Sequence, residues 1–256
     1  MKRVYLNISF LLILVVLLAC QSGVENQDLP PGKVQLVVKT PEDAPVEHGI
    51  DAIAIVGANN QVIKNGIFIE WHPLQEDDIE AYEIYRKAGD SSGTFNKIAE
   101  VQKEFERLDT TYIDTSINVN RTYFYYVRAR DAIGQQGPNS QKAGYTLLPW
   151  PDLELPINND IFNGVFVWNF DENYVPSTFV FRMERQIGQG TYVNIFTKLI
   201  TLIADYSPHQ EWSLAKLESY GLQTPLPTGT YRWRIDVIGS AENEGSESNW
   251  ATFRVQ

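Results

Sequence analysis

Three histidines, His48, His72 and His209, and one cysteine, Cys20, are the side chains of this 256-residue chain best suited to act as general base, metal ligand or nucleophile. Their spacing groups no two of them. A metalloprotease-type HExxH sets two imidazoles on one helical face, GxSxG lifts a serine onto a sharp turn, and a glycine-rich phosphate loop aims backbone N–H groups at an anion. HExxH and the phosphate loop do not occur, and the one letter match to GxSxG, Gly89-Asp90-Ser91-Ser92-Gly93, lies in a polar turn-type run rather than between a strand and a helix. His72 follows Trp71 at an expected strand end and reads as a turn residue. Glu76-Asp77-Asp78 offers carboxylates of the kind calcium takes, but calcium needs six or more convergent oxygens, so the triplet reads first as an acidic turn. Asp114 and Asp131 read as turn residues too. The expectation is a chain without catalytic residues, metal or cofactor.

Cys20 has a different context. Lys2 and Arg3 precede an apolar run from Ile8 that ends in Leu17-Leu18-Ala19-Cys20: a positive start, an apolar stretch and a small residue, the pattern of an export leader. The run is short for a permanent membrane span. Leu17–Cys20 resembles the lipobox of bacterial lipoproteins. The resemblance implies cleavage after Ala19, with residues 1–19 as signal peptide and Cys20 acylated on sulfur and amine. Gln21, where the best-known sorting rule places an inner-membrane aspartate, implies delivery to the outer membrane of a bacterial envelope. Residues 20–32 are polar and then proline-stiffened, a tether reaching roughly 20 Å as a coil. With no second cysteine, no disulfide staple is available to the exported chain.

The formal charge is −11, and loss of Lys2 and Arg3 with a leader that holds no acid takes it to −13. Such acidity disfavours nucleic acid and anionic surfaces as partners. A hydrophobic content of 43% with 12% aromatics supports packed cores, and the chain after the leader is long enough for two domains of ordinary size.

Apolar residues recur with period two in short segments bounded by Gly, Asn, Asp and Pro. Examples are Ile67–Trp71, Tyr82–Arg86, Thr122–Ala129, Val165–Trp168, Thr178–Met183 and Thr230–Val237. Trp71 to Tyr82 and Trp168 to Phe179 are both 11 positions apart, so one plan is repeated. The expected fold is all-β, two tandem antiparallel β-sandwiches over residues 33–148 and 149–256. At Trp71, Tyr82-x-Ile84, the Tyr123-x-Tyr125-x-Val127-x-Ala129 strand and Asp131–Gly134, the first domain resembles fibronectin type III domains. The resemblance implies a buried Trp71 and a tyrosine corner at Tyr123. Trp168 and Leu226–Tyr231 carry a looser fibronectin- or Ig-like resemblance in the second.

Two stretches depart from that plan. Residues 40–65 exceed a simple connection and predict an extra hairpin or a lid over one end. Tryptophan and corner tyrosine are 63 positions apart in the second domain against 52 in the first. The excess predicts a helix capped by Ser207-Pro208-His209-Gln210 and stopped at Gly221, with Trp212, Leu214 and Leu217 packing down. Leu147–Pro151 between the domains is short and proline-flanked, which predicts a semi-rigid arrangement.

Alternation along strands sends Glu83, Tyr85, Phe124 and Tyr126 outward from the first core, so Tyr85, Phe124 and Tyr126 form a candidate aromatic binding patch. In the second domain Phe181, Tyr231, Trp233 and Ile235 point inward and Arg182, Arg232 and Arg234 outward. Ser246–Trp250 resembles a signature of some fibronectin type III domains in which tryptophan stacks between arginines, here Trp250 with Arg232 and Arg234. The favoured function is a non-catalytic, lipid-anchored envelope protein that binds another envelope protein. The alternative is a glycan-binding accessory protein stacking sugars on Trp150, Trp212 or Trp250.

Overall fold

A computed structural model describes residues 29–58, 62–105, 107–203 and 206–256. The leader and Cys20 lie outside the described residues. Pro31–Gln256 forms one compact unit, and among the described residues no helix is long and apolar enough to cross a membrane.

The first sandwich packs a sheet of β1 (Asp51–Val56), β2 (Val62–Glu70) and β5 (Thr111–Asp114) against a sheet of β3 (Ile79–Ala88), β4 (Asn96–Gln102), β6 (Arg121–Asp131) and β7 (Ala143–Leu147). Its core holds Trp71, Tyr82, Ile84, Tyr125, Val127 and Tyr145. Trp71 meets Tyr82 edge-on at 5.4 Å. The extra hairpin predicted within 40–65 is β1–β2, and residues 40–50 make a separate closed loop. Its neck is tied by Thr40 N–H to His48 O at 3.2 Å and His48 N–H to Thr40 Oγ1 at 3.1 Å.

The second sandwich comprises β8 (Asp152–Leu155), β9 (Asp160–Ile161), β10 (Val165–Asn169), β11 (Thr178–Gly188), β12 (Thr191–Thr201), β13 (His209–Ser213), helix α1 (Leu214–Glu218), β14 (Gly229–Ile238), β15 (Glu244–Glu247) and β16 (Ala251–Val255). β8, β10 and β13 form one sheet and β12, β11, β14 and β15 the other, with β16 beside β14. Its core is rich in aromatics, among them Phe166, Trp168, Phe179, Phe181, Trp212, Trp233 and Phe253. The fold is thus the expected pair of sandwiches with one short helix.

The repeat extends into the hydrogen bonds. Val127 and Ile235 each donate their N–H to a serine hydroxyl 13 positions on, Ser140 and Ser248, both at 3.0 Å. The corner tyrosines differ: the Tyr231 hydroxyl donates to Pro227 O at 2.5 Å, whereas that of Tyr123 accepts from Asn118 N–H at 3.1 Å.

The helix begins later than predicted. Residues 209–213 pair with β10 as a strand, burying Gln210 and Trp212 on alternate positions, and the cap is Ser213, whose hydroxyl accepts Lys216 N–H at 3.3 Å. Backbone pairing with β10 outweighs the local capping signal at Ser207, which a neighbouring strand leaves without effect. Gly221, with φ of +104°, still ends the turn, and Leu217 is buried.

Asp114 is more than a turn residue. It is fully buried, 2.7 Å from Arg86 Nη1, and also accepts from the Tyr125 hydroxyl at 2.9 Å. Burial pushes its carboxyl up, but hydrogen bonds from Ser116, Arg86 and Tyr125 outweigh it and hold the pKa below the usual range. Asp131 does hold its turn, accepting N–H bonds from Ile133 and Gln135.

Replacing Trp168, in contact with Phe170, Phe179, Phe181, Trp212 and Trp233, by alanine should cost about 3–5 kcal/mol. Urea unfolding of Trp168→Ala checks this; a loss under about 1 kcal/mol would mean that the cavity collapses.

Candidate functional site

The two sandwiches share a sheet. β7 and β15 pair in parallel, Thr146 beside Glu244 and Leu147 beside Gly245, so β4-β3-β6-β7 runs on into β15-β14-β11-β12. Gly245 permits this approach: a Cβ there would lie 2.5 Å from Val237 O and 2.9 Å from the Tyr145 hydroxyl.

The 40–50 loop completes the junction. Arg182 and Arg234, cross-strand neighbours on β11 and β14, point away from their own core as the alternation requires, yet they are only 3% and 6% exposed. The loop covers them. Arg182 donates to the Glu42 and Ala44 carbonyls at 2.5 Å and ion-pairs with Glu47 at 2.8 Å and with Asp236. Arg234 pairs with Glu47, with Asp236 at 2.8 Å and with Glu247 at 2.9 Å. Beside them the Asn65 amide exchanges two bonds with the Glu247 backbone, at 3.1 and 2.8 Å.

Glu47, Asp236 and Glu247 bring carboxylate oxygens within 4.8 Å of one another, the grouping a cation site would need. Each of the six oxygens already faces a guanidinium nitrogen, so the cluster is a clamp and does not fit a metal. Glu76, Asp77 and Asp78 stand exposed elsewhere and form no such cluster. Glu76 accepts Gly32 N–H at 3.0 Å.

Beyond the clamp, Arg232 lies 4.3 Å from the Trp250 ring and 4.2 Å from the Tyr192 ring, with Arg234 4.9 Å from Trp250. Stacking holds these arginines flat and extended, the geometry in which Arg234 reaches Glu47.

The outer face of the first sandwich is built differently. Tyr85 and Tyr126, cross-strand neighbours on β3 and β6, stack at 4.7 Å with planes 10° apart. The Arg128 guanidinium lies 4.6 Å from the Tyr85 ring. The open patch expected there is partly closed. Tyr126 is only 9% exposed because Phe95 packs on it at 5.1 Å, while Tyr85 and Phe124 are half-buried. Phe124 fills the space over Gly144, where a Cβ would meet its ring at 2.6 Å. Glu83 lies on this outer face but is buried, taking Lys97 at 2.7 Å, Arg128 at 2.8 Å and Gln136 at 3.1 Å. Burial pushes its carboxyl up, and these cations with the Tyr85 hydroxyl bring it below the ordinary value. Glu100, bonded by Lys97 and Arg130, is held down at about 2.

The histidines stay apart. His48 is 3.2 Å from Glu70, His209 is 2.9 Å from Asn169, and His72 is exposed. Trp212, a candidate sugar platform, is buried against Tyr220. It lies on the inward face of β13, which the helical reading of 207–221 had obscured.

No family model matches this sequence, and no curated protein matches it. Among solved structures, an Fn3-like protein from Clostridium thermocellum is 24% identical over 41% of this chain and 92% of its own, with a TM-score of 0.27. The FN1–FN3 domains of chicken CNTN1 are 13% identical over 89% of this chain and 67% of theirs, TM-score 0.28. Pectate lyase PelI from Erwinia chrysanthemi is 18% identical over 38% and 27%, TM-score 0.26. The fold is fibronectin type III-like. That statement stands on the strand order, core tryptophans and corner tyrosines; at these scores nothing about ligand or activity passes to this chain.

The junction predicts its own behaviour. Arg234→Met leaves the buried Glu247 without a partner and the half-buried Glu47 short of one, which should cost about 3–5 kcal/mol and split one thermal unfolding transition into two; a single unshifted transition by calorimetry would refute the clamp. Its pH dependence follows from charge. Three carboxylates face two guanidiniums, and burial raises the pKa of Glu47, and of Glu247 strongly. The folded state then binds more protons than the unfolded one, so the clamp is strongest near the ordinary glutamate pKa and weakens as pH rises through the raised values. Hydrogen-exchange protection of residues 42–48, corrected for intrinsic rate, should be greater at about pH 5 than at about pH 8. Glu247→Gln should flatten the difference.

Proposed function

We propose that this chain is a non-catalytic, lipid-anchored protein of a bacterial envelope, whose joined sandwiches present one fixed face to another envelope protein. One observation carries the reading. The repeat makes the Tyr85–Tyr126 pair the counterpart of Arg182–Arg234, since each pair is cross-strand and lies on the outer face of the strand after the core tryptophan. In the second sandwich that face is occupied by the 40–50 loop. In the first it carries stacked tyrosines, Arg128 and Phe124, with Tyr85 and Phe124 still reached by solvent. Tyrosine and arginine held rigid by neighbours are the side chains that dominate protein interfaces, because little entropy is lost when they are covered.

The leader pattern and Cys20 support the anchor, and the −11 charge supports a solvated envelope setting without nucleic acid. Glycan capture is the alternative; Trp150 and Trp250, both half-buried, are the tryptophans left to serve it.

The test is affinity capture of detergent-solubilised envelope proteins on the full chain. A stoichiometric partner, lost in Tyr85→Ser/Phe124→Ser with the melting temperature within a few degrees of the parent, is the expected result. A partner retained by that variant moves the interface elsewhere, and capture of glycan without protein overturns the reading. Cys20→Ser should shift the protein from the membrane to the soluble envelope fraction.

A further inference from the structure

A separate feature lies on the outer face of the β8–β10–β13 sheet. Asp152 stands opposite Asn169, with His209 on the other flank of Asn169. Trp150, Asp152, Asn169 and Asp171, with Val119, Pro149 and Phe170, line a cleft of about 380 Å³ beside this pair.

The chemistry of this cleft is one-sided. Asp152 and Asp171 supply carboxylates, and no lysine or arginine is among the lining residues. Asp171 Oδ1 accepts Asn173 N–H at 2.8 Å. Among the described residues, the Asp152 carboxylate has no ion pair and the Trp150 ring no aromatic or cationic neighbour. Asn169 donates one amide N–H to Glu154 Oε1 at 2.5 Å, and its oxygen meets His209 Nδ1 at 2.9 Å. The cleft therefore offers acceptors, negative charge and a π face, with the Trp150 indole N–H and the second Asn169 N–H as side-chain donors and no positive charge. A neutral sugar hydroxyl leaves the two carboxylate charges unmatched. A protonated amine only donates, carries positive charge, and is attracted by an indole face.

We propose that the cleft at Trp150 binds a primary alkylammonium group, with its charge over the Trp150 ring and its N–H groups directed to Asp152 and Asp171. The group is either a free amine or a lysine side chain of another protein.

The test is titration of the full ¹⁵N-labelled chain with n-butylammonium chloride, read at the Trp150 indole resonance, which is identified by its absence from Trp150→Phe. A saturable shift is expected, weakened about tenfold or more in Asp152→Asn/Asp171→Asn, whose near-isosteric amides keep the fold. A stronger response to Nα-acetyl-lysine methylamide assigns the amine to a protein, and a stronger response to butylammonium assigns it to a free solute; both support the proposal. An equal shift with sodium chloride, saturation by methyl β-glucoside in place of the amine, or full binding in the double variant would overturn it.

Discussion

Two arginines held between three carboxylates set the geometry on which the rest of this molecule depends. Arg182 and Arg234 belong to the second sandwich, Glu47 to a loop of the first, and Asp236 and Glu247 flank the arginines on their own sheet. Removing such charges from water offsets most of the attraction they recover, so a buried cluster of this kind is weak evidence for net stability. It enforces orientation. A guanidinium fork meets carboxylates in few arrangements, and Trp250 stacked on Arg234 narrows the choice further.

The β7–β15 pairing is too short to do this alone. Its register covers Thr146 with Glu244 and Leu147 with Gly245, and a parallel contact of that length would twist freely. The clamp lies to one side of the seam and resists that rotation. Together they convert two domains that a proline-flanked connection leaves semi-rigid into one body. Any face of such a body is presented in a fixed direction, which lowers the entropy lost when it is covered.

The same repeat position is used in opposite ways. Where the second sandwich places arginines that are consumed by an internal contact, the first places stacked tyrosines with a neighbouring arginine and leaves Tyr85 in reach of solvent. Duplication of one sheet thus yields an inner face and an outer one, and the difference lies in a few residues at equivalent alternations: Tyr85 against Arg182, Tyr126 against Arg234.

The two-sandwich architecture, the buried tryptophans, the corner positions and the inward or outward sense of residues on β3, β6, β11 and β14 were legible in the sequence, because strand alternation and aromatic spacing are local and repeat with period two. The Trp250 stack was legible too, from three residues on or just before neighbouring strands. Burial on the outer face was not. Alternation says which side of its own sheet a residue takes, but whether that side meets water depends on chain distant in sequence: Glu47 over Arg234, Phe95 over Tyr126, Lys97 and Arg128 over Glu83. The strand at 209–213 was missed for the same reason, since Ser207 and Pro208 look like a helix start until β10 supplies a pairing edge. Asp114 and the Trp150 cleft likewise exist only where separate segments converge. Local pattern determined the elements and their faces; long-range pairing of charges and backbone decided which faces stay open.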